Sequence, residues 1–127
     1  MLSFRSQRVV HGGRVTIRSH RDLELWQKSV TLIVEGYELT RRFPKTEQCG
    51  ISTQLQRAAA SVAANIAESA GRRNLGEYIH HPGIARGSLM EPETHVIVAQ
   101  RLAFVTSSET DAVLAPAGEV GRMLAGL

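Results

Sequence analysis

Apolar residues recur at steps of three and four along most of this chain, the period of an amphipathic α-helix. The clearest stretch is residues 51–73, where Ile51, Leu55, Ala58, Val62, Ile66 and Ala70 form one stripe. Ala60, Ala64 and Ala67 fall on roughly the opposite side and are small enough for another helix to come close. A helix that is apolar or small on most of its surface is buried against several neighbours. Residues 51–71 are therefore expected to form the central helix of a bundle.

The same period predicts three further helices. Residues 22–43 form the first, with Asp22 able to cap its start and Glu24 suited to the positive end of the helix dipole. Trp26, Val30, Ile33 and Tyr37 make one stripe and are expected to face the core. Leu25, Leu32 and Leu39 make a second, about 100° round the helix, and are the candidate interface with another helix or another subunit. Phe43-Pro44 ends this helix, because a residue before proline avoids the helical region.

Residues 75–104 read as the third helix, with Leu75, Tyr78, Ile79, Leu89, Val96 and Ile97 on the inner side. Pro82 and Pro92 interrupt it, at about 3 kcal/mol each in a regular helix. It is expected to be kinked, broken at these prolines, or held by packing. Residues 106–127 form the fourth, opened by a capping box of Thr106 and Glu109, with Val113, Leu114, Val120, Met123, Leu124 and Leu127 as its apolar set. Pro116 and Gly118 weaken its first half. The connections are short, so consecutive helices should run antiparallel. The expected fold is all-α: an up-down-up-down four-helix bundle over residues 22–127, with no internal repeat.

Composition changes this picture little, but charge changes it at one end. The chain has 127 residues and a formal charge of +3, yet residues 1–21 hold Arg5, Arg8, Arg14, Arg18 and Arg21 and no acid. The basic balance therefore belongs to an aperiodic arm, and residues 22–127 are slightly acidic. Such an arm is expected to be flexible and suits an anionic partner such as nucleic acid; the alternative is a solubilising leader. Cys49 is the only cysteine, which excludes an intrachain disulfide and fits a cytoplasmic protein. No apolar run approaches the ~20 residues of a membrane span, so no membrane partner is expected.

Little in the chain points to chemistry. Glu77 and His80 form one Glu-x-x-His pair, as in di-iron bundles, but those need two pairs and further carboxylates. Glu91 and His95, one turn apart, do not supply them. No metal or cofactor is expected. Asn65, Glu68, Arg86, Glu91 and Glu93 lie near the apolar stripes and read as a hydrogen-bonded network that sets helix register, a ligand pocket being the alternative. Ser61 and Ser88 have no His–acid partner nearby in sequence, so no nucleophile is suggested. Arg41, Arg42 and Lys45, with Arg57, Arg72 and Arg73, are the candidate nucleic-acid-binding residues. Without aromatic residues between them, contact should run through phosphates and carry little sequence preference.

Several motifs occur together and in order. Asp22-Leu23 and Leu25-Trp26-Gln27-Lys28 are followed by Phe43-Pro44, then by Gln54-Leu55-Gln56-Arg57-Ala58-Ala59 and Asn65-Ile66-Ala67-Glu68. Ala85-Arg86-Gly87-Ser88-Leu89, Glu91, Glu93 and Thr94 complete the set. From about residue 20 to 127 the chain resembles the bacterial four-helix-bundle family of 23S ribosomal RNA intervening-sequence proteins. The accessory variability determinant of diversity-generating retroelements is similar too. The resemblance implies a ring-like homopentamer of largely unestablished function, and the retroelement relative implies a basic surface for nucleic acid. The chain departs from the family pattern at Val62-Ala63, at His81-Pro82 and Pro92, and in its early end. The expected role is a non-enzymatic assembly protein that binds RNA or DNA, or another protein; the alternative is a small-molecule- or metal-binding bundle.

Overall fold

The computed structural model describes residues 7–10, 14–17, 20–72 and 82–125. Among them are four α-helices: α1 (His20–Thr40), α2 (Ile51–Arg72), α3 (Pro82–Arg101) and α4 (Ser107–Ala125). A 3-10 turn, Lys45–Glu47, lies between α1 and α2. Each helix packs on its neighbours in the cyclic order α1, α2, α3, α4 and back to α1. Long-range contacts show that neighbours run antiparallel. On α1 and α4, Lys28 pairs with Glu119 at 2.7 Å and Arg42 with Glu109 at 2.9 Å, so the start of one meets the end of the other. On α1 and α2, Gly36 faces Ala59 while Thr40 bonds Gln56. The expected up-down-up-down bundle is present.

The core reverses the expected faces of α1. Leu25 and Leu32 are 0% exposed and Leu39 is buried with them, packed with Leu55, Val62, Ile66, Val96, Val113 and Val120. The candidate oligomer interface Leu25, Leu32 and Leu39 is thus the inside of a single subunit. Trp26 and Ile33 are only partly buried, and Tyr37 is exposed. Small residues on the leucine face decide this. A Cβ on Gly36 would stand 3.5 Å from that of Ala59, so α2 comes close along this side. Ser29 is buried there too, its hydroxyl donating to the Leu25 carbonyl at 2.8 Å. On α2 the expected stripe holds, with Leu55, Ala58, Val62 and Ile66 buried. The small residues in the core are Ala59 and Ala63, whereas Ala60 is half-buried and Ala64 exposed.

The helix ends follow local chemistry. α1 begins at His20, two residues before Asp22, so Asp22 lies inside the first turn and not at the cap. It ends at Thr40, and Arg41, Arg42 and Phe43 donate to carbonyls three residues back. Pro82 is the first residue of α3, where its missing N–H costs nothing. Pro92 and Pro116 lie inside α3 and α4, and both are buried, so packing holds them in place. Ile97, expected inside, is exposed.

After Arg101, Ala103 takes a left-handed conformation (φ 63°), with Phe104 N–H donating to Ala99 and Ala103 N–H to Gln100. This is a Schellman ending. It brings Phe104 to 5.9 Å from Phe43, closing that end of the bundle. The capping box opens α4 as expected: Thr106 N–H donates to Glu109 Oε1 at 2.9 Å, and Glu109 N–H donates to Thr106 Oγ1 at 3.1 Å. The Thr106 N–H, and then the Arg42 guanidinium, hold the Glu109 carboxyl below its ordinary range.

Ahead of the bundle stands an element that the aperiodic arm did not predict. β1 (Gln7–Val10) pairs antiparallel with β2 (Arg14–Ile17), Val9 opposite Val15 and Val10 opposite Arg14. Gly12-Gly13, read as a break, stands between the strands. β2 lies against α2.

Candidate functional site

Two kinds of surface stand out. The first is apolar. On α1 the face beside the core leucines carries Val34 (53% exposed) and Tyr37, with Val30, Ile33 and Trp26 half-buried along its flank. On α3, Met90 (60% exposed), Ile97 and Val98 recur at helical spacing around Thr94, with exposed Leu102 just past the helix end. α1 and α3 sit at diagonal corners of the bundle, each packing on α2 and α4. Lone exposed apolar residues are ordinary, but rows of them on one helix face mark contact surfaces. The α3 row was legible as steps of four and three from Met90. The prolines that interrupt the third helix and the expected inward place of Ile97 obscure it in the sequence.

The second surface is polar. Where α1 ends and α2 begins, Tyr37, Thr40, Arg41, Gln48, Ser52 and Gln56 line a pocket of ≈440 Å³. Its wall is held by a relay: Gln56 Nε2 donates to Thr40 Oγ1 at 3.0 Å, and Thr40 Oγ1 donates to the Tyr37 carbonyl at 2.7 Å. Between α2 and α3, Gln54, Arg57, Ala58, Ser61, Glu91 and His95 line a shallow groove of ≈480 Å³. The fold thus brings Ser61 to the same groove as Glu91 and His95, a proximity that sequence separation hid. Among the described residues no group of three or more His, Cys, Asp or Glu is placed to hold a metal. Glu77 and His80 lie outside the described residues.

The candidate basic residues do not meet in one patch. Arg41, Arg42 and Lys45 gather at the end where α2 starts. Arg42 is committed to Glu109, and Arg41 is 3.6 Å from Glu38. Arg57 lies midway along α2 in the groove with Glu91. α2 runs about 30 Å and carries Arg72 to the far end; Arg73 lies outside the described residues. α1 begins at that far end, so the backbone brings Arg21 and the strand that carries Arg14 toward the end of α2.

Asn65 of the expected polar network bonds across to the neighbouring helix. Asn65 Nδ2 donates to Ser88 Oγ at 3.0 Å, tying α2 to α3. Glu91 is exposed in the groove and Glu93 is half-buried. The side chains of Glu68 and Arg86 lie outside what is described. No helix among the described residues is long and apolar enough to cross a membrane.

A crystal structure of a protein of unknown function from the S23 ribosomal protein family of Bacteroides thetaiotaomicron VPI-5482 superposes with a TM-score of 0.70 at 22% identity. The match covers 84% of this chain and 96% of that one, and it shows the shared fold. No functionally curated protein matches the chain. The family model for 23S rRNA-intervening sequence proteins matches residues 21–126, nearly the whole of the bundle with its packed helices and capping motifs, and the chain belongs to that family.

Proposed function

We propose that this protein is a non-enzymatic assembly module that self-associates head to tail through its two exposed apolar rows. The observation that carries this reading is the pair of rows on diagonal corners, Val34 and Tyr37 on α1 and Met90, Ile97 and Val98 on α3, with Leu102 just beyond its end. Two different faces on one subunit suit a heterologous contact, which builds rings when the rotation closes. Five subunits is the number that the family resemblance favours. The test is light-scattering mass at micromolar concentration. The expected result is a multiple of 13.9 kDa, with five favoured. Val34→Glu and Ile97→Glu should each return the mass to a single chain with helicity intact. A wild-type monomer removes the assembly reading.

A second reading, weak binding to RNA or DNA, is favoured by the basic groups at both ends of the bundle. A ring repeats each group, so modest phosphate contacts add through avidity. Affinity should fall on a log–log salt plot by about 0.7 to 0.9 per phosphate neutralised. Replacing Arg8 and Arg14 with Gln, or Arg41 and Lys45 with Gln, should flatten that slope equally for all sequences. No gel shift at about 50 mM salt, where phosphate contacts are strong, leaves a protein-only assembly.

A further inference from the structure

We infer that the pocket between the end of α1 and the start of α2 is an oxyanion site that takes a phosphate group, an inference that deepens the nucleic-acid reading by naming where a phosphate sits. Three observations converge there. Ser52 is only 7% exposed and lines the pocket. Its hydroxyl has no hydrogen-bond partner among the described residues, and no wholly buried side-chain polar atom among them is unpaired, so this oxygen keeps access from outside at a residue that lines the pocket. A buried hydroxyl left open toward a cavity is a ready donor.

The second observation is the start of α2. The first amide bonded within this helix is that of Gln54, to the Gly50 carbonyl at 3.1 Å, and the N–H groups of Ile51, Ser52 and Thr53 have no acceptor among the described residues. No acidic side chain stands in the first turn. By contrast, α4 fills its own start with the Thr106–Glu109 box. Free N–H groups at the positive end of a 22-residue helix suit an anion.

The third is charge and fixed geometry. Arg41 lines the pocket, and its only ion pair among the described residues, with Glu38, is long at 3.6 Å and exposed on both sides. Gln48 adds an amide, and Gln56 is held in place by Thr40. Among the carboxylates that oppose binding at this end are Glu38, Glu109, which pairs with Arg42, and Glu47, whose Oε1 lies 3.0 Å from where a Cβ on Gly50 would stand. None of the three lines the pocket.

The test is amide NMR on the isotopically labelled full chain, with sodium phosphate as the probe and sodium chloride at equal ionic strength as the control. Phosphate should shift the amides of Ile51, Ser52 and Thr53 to saturation, and chloride should not. Arg41→Gln and Ser52→Ala should each weaken phosphate binding several-fold, about tenfold for the charged contact, with an unchanged circular dichroism spectrum. Equal shifts with phosphate and chloride overturn the site. A short single-stranded RNA forms the second arm. RNA that binds and moves the same three amides supports the site with a backbone phosphate as its occupant. RNA that binds without moving them overturns it and leaves the nucleic-acid reading standing. Phosphate saturation without RNA binding supports a site for a free oxyanion and removes the nucleic-acid reading.

Discussion

Ala103 holds the most informative backbone position in the molecule. Its φ of 63° ends α3 and aims Phe104 at Phe43. A left-handed conformation costs an L-residue about 1–2 kcal/mol, while glycine adopts it freely but loses more entropy on folding. Ala103→Gly should therefore stabilise the protein by about 0.5–1 kcal/mol, read as a rise in the denaturant midpoint with an unchanged slope. The residue pair that opens the next helix gives a second test. Thr106→Ala removes the hydroxyl that receives the Glu109 N–H and should cost about 1 kcal/mol.

Charge at this cap and at the Lys28–Glu119 pair carries a pH signature. Glu109, through the Thr106 N–H, and Glu119, through the Lys28 ammonium, sit below their ordinary value of 4.5. Both are more acidic folded than unfolded. Their contribution is therefore complete above the ordinary value and fades as pH falls through the folded one. Lys28, bonded to Glu119, is raised above 10.5, so its share holds below that value and is lost as pH rises further. Thermal midpoints of the wild type and Glu109→Gln should differ near neutrality and converge in strong acid. A constant offset would mean that the carboxylate acts by shape alone.

At the scale of elements, the choice of face on α1 governs what each substitution does. Leu32 is enclosed, so Leu32→Ala should cost about 2–5 kcal/mol, as should Ile66→Ala on α2. Val34, on the exposed side of α1, should cost less than about 0.5 kcal/mol when changed to Ala in a dissociated subunit. Urea unfolding of the three variants checks the order, and a large loss at Val34 would mean the faces are exchanged. Leu32→Glu, which would dissociate an assembly if the leucine row were its interface, should instead unfold the subunit, because it buries an unpaired carboxylate.

At the scale of the whole molecule, the two apolar rows link folding to assembly. If subunits associate through them, the thermal midpoint should rise with protein concentration, because association stabilises only the folded chain. Val34→Glu and Ile97→Glu should remove that dependence while leaving the dilute-limit midpoint close to that of the wild type. Calorimetry across a hundredfold range of concentration checks both. The same geometry explains why the six candidate arginines and lysines divide: α2 separates Arg41 and Lys45 from Arg72 by its full length.

What the amino-acid order determined by itself is whatever depends on near neighbours. The helical period of residues 51–72 and the Thr106–Glu109 box act locally and stand where the pattern predicted, while the first helix stops at Thr40, three residues before the expected Phe43-Pro44. Whether Leu32 or Tyr37 faces inward was not decidable from α1 alone, since both rows are apolar. The close approach of Gly36 to Ala59 chose between them. Pro92 could break a helix or be enclosed by one, and burial against the other helices chose the second. The pocket at Ser52 joins residues of α1 to residues of α2, and the groove joins Ser61 to His95 across two helices. Such pairings depend on how helices pack, a property of contacts between distant segments, and so only the tertiary structure decided them.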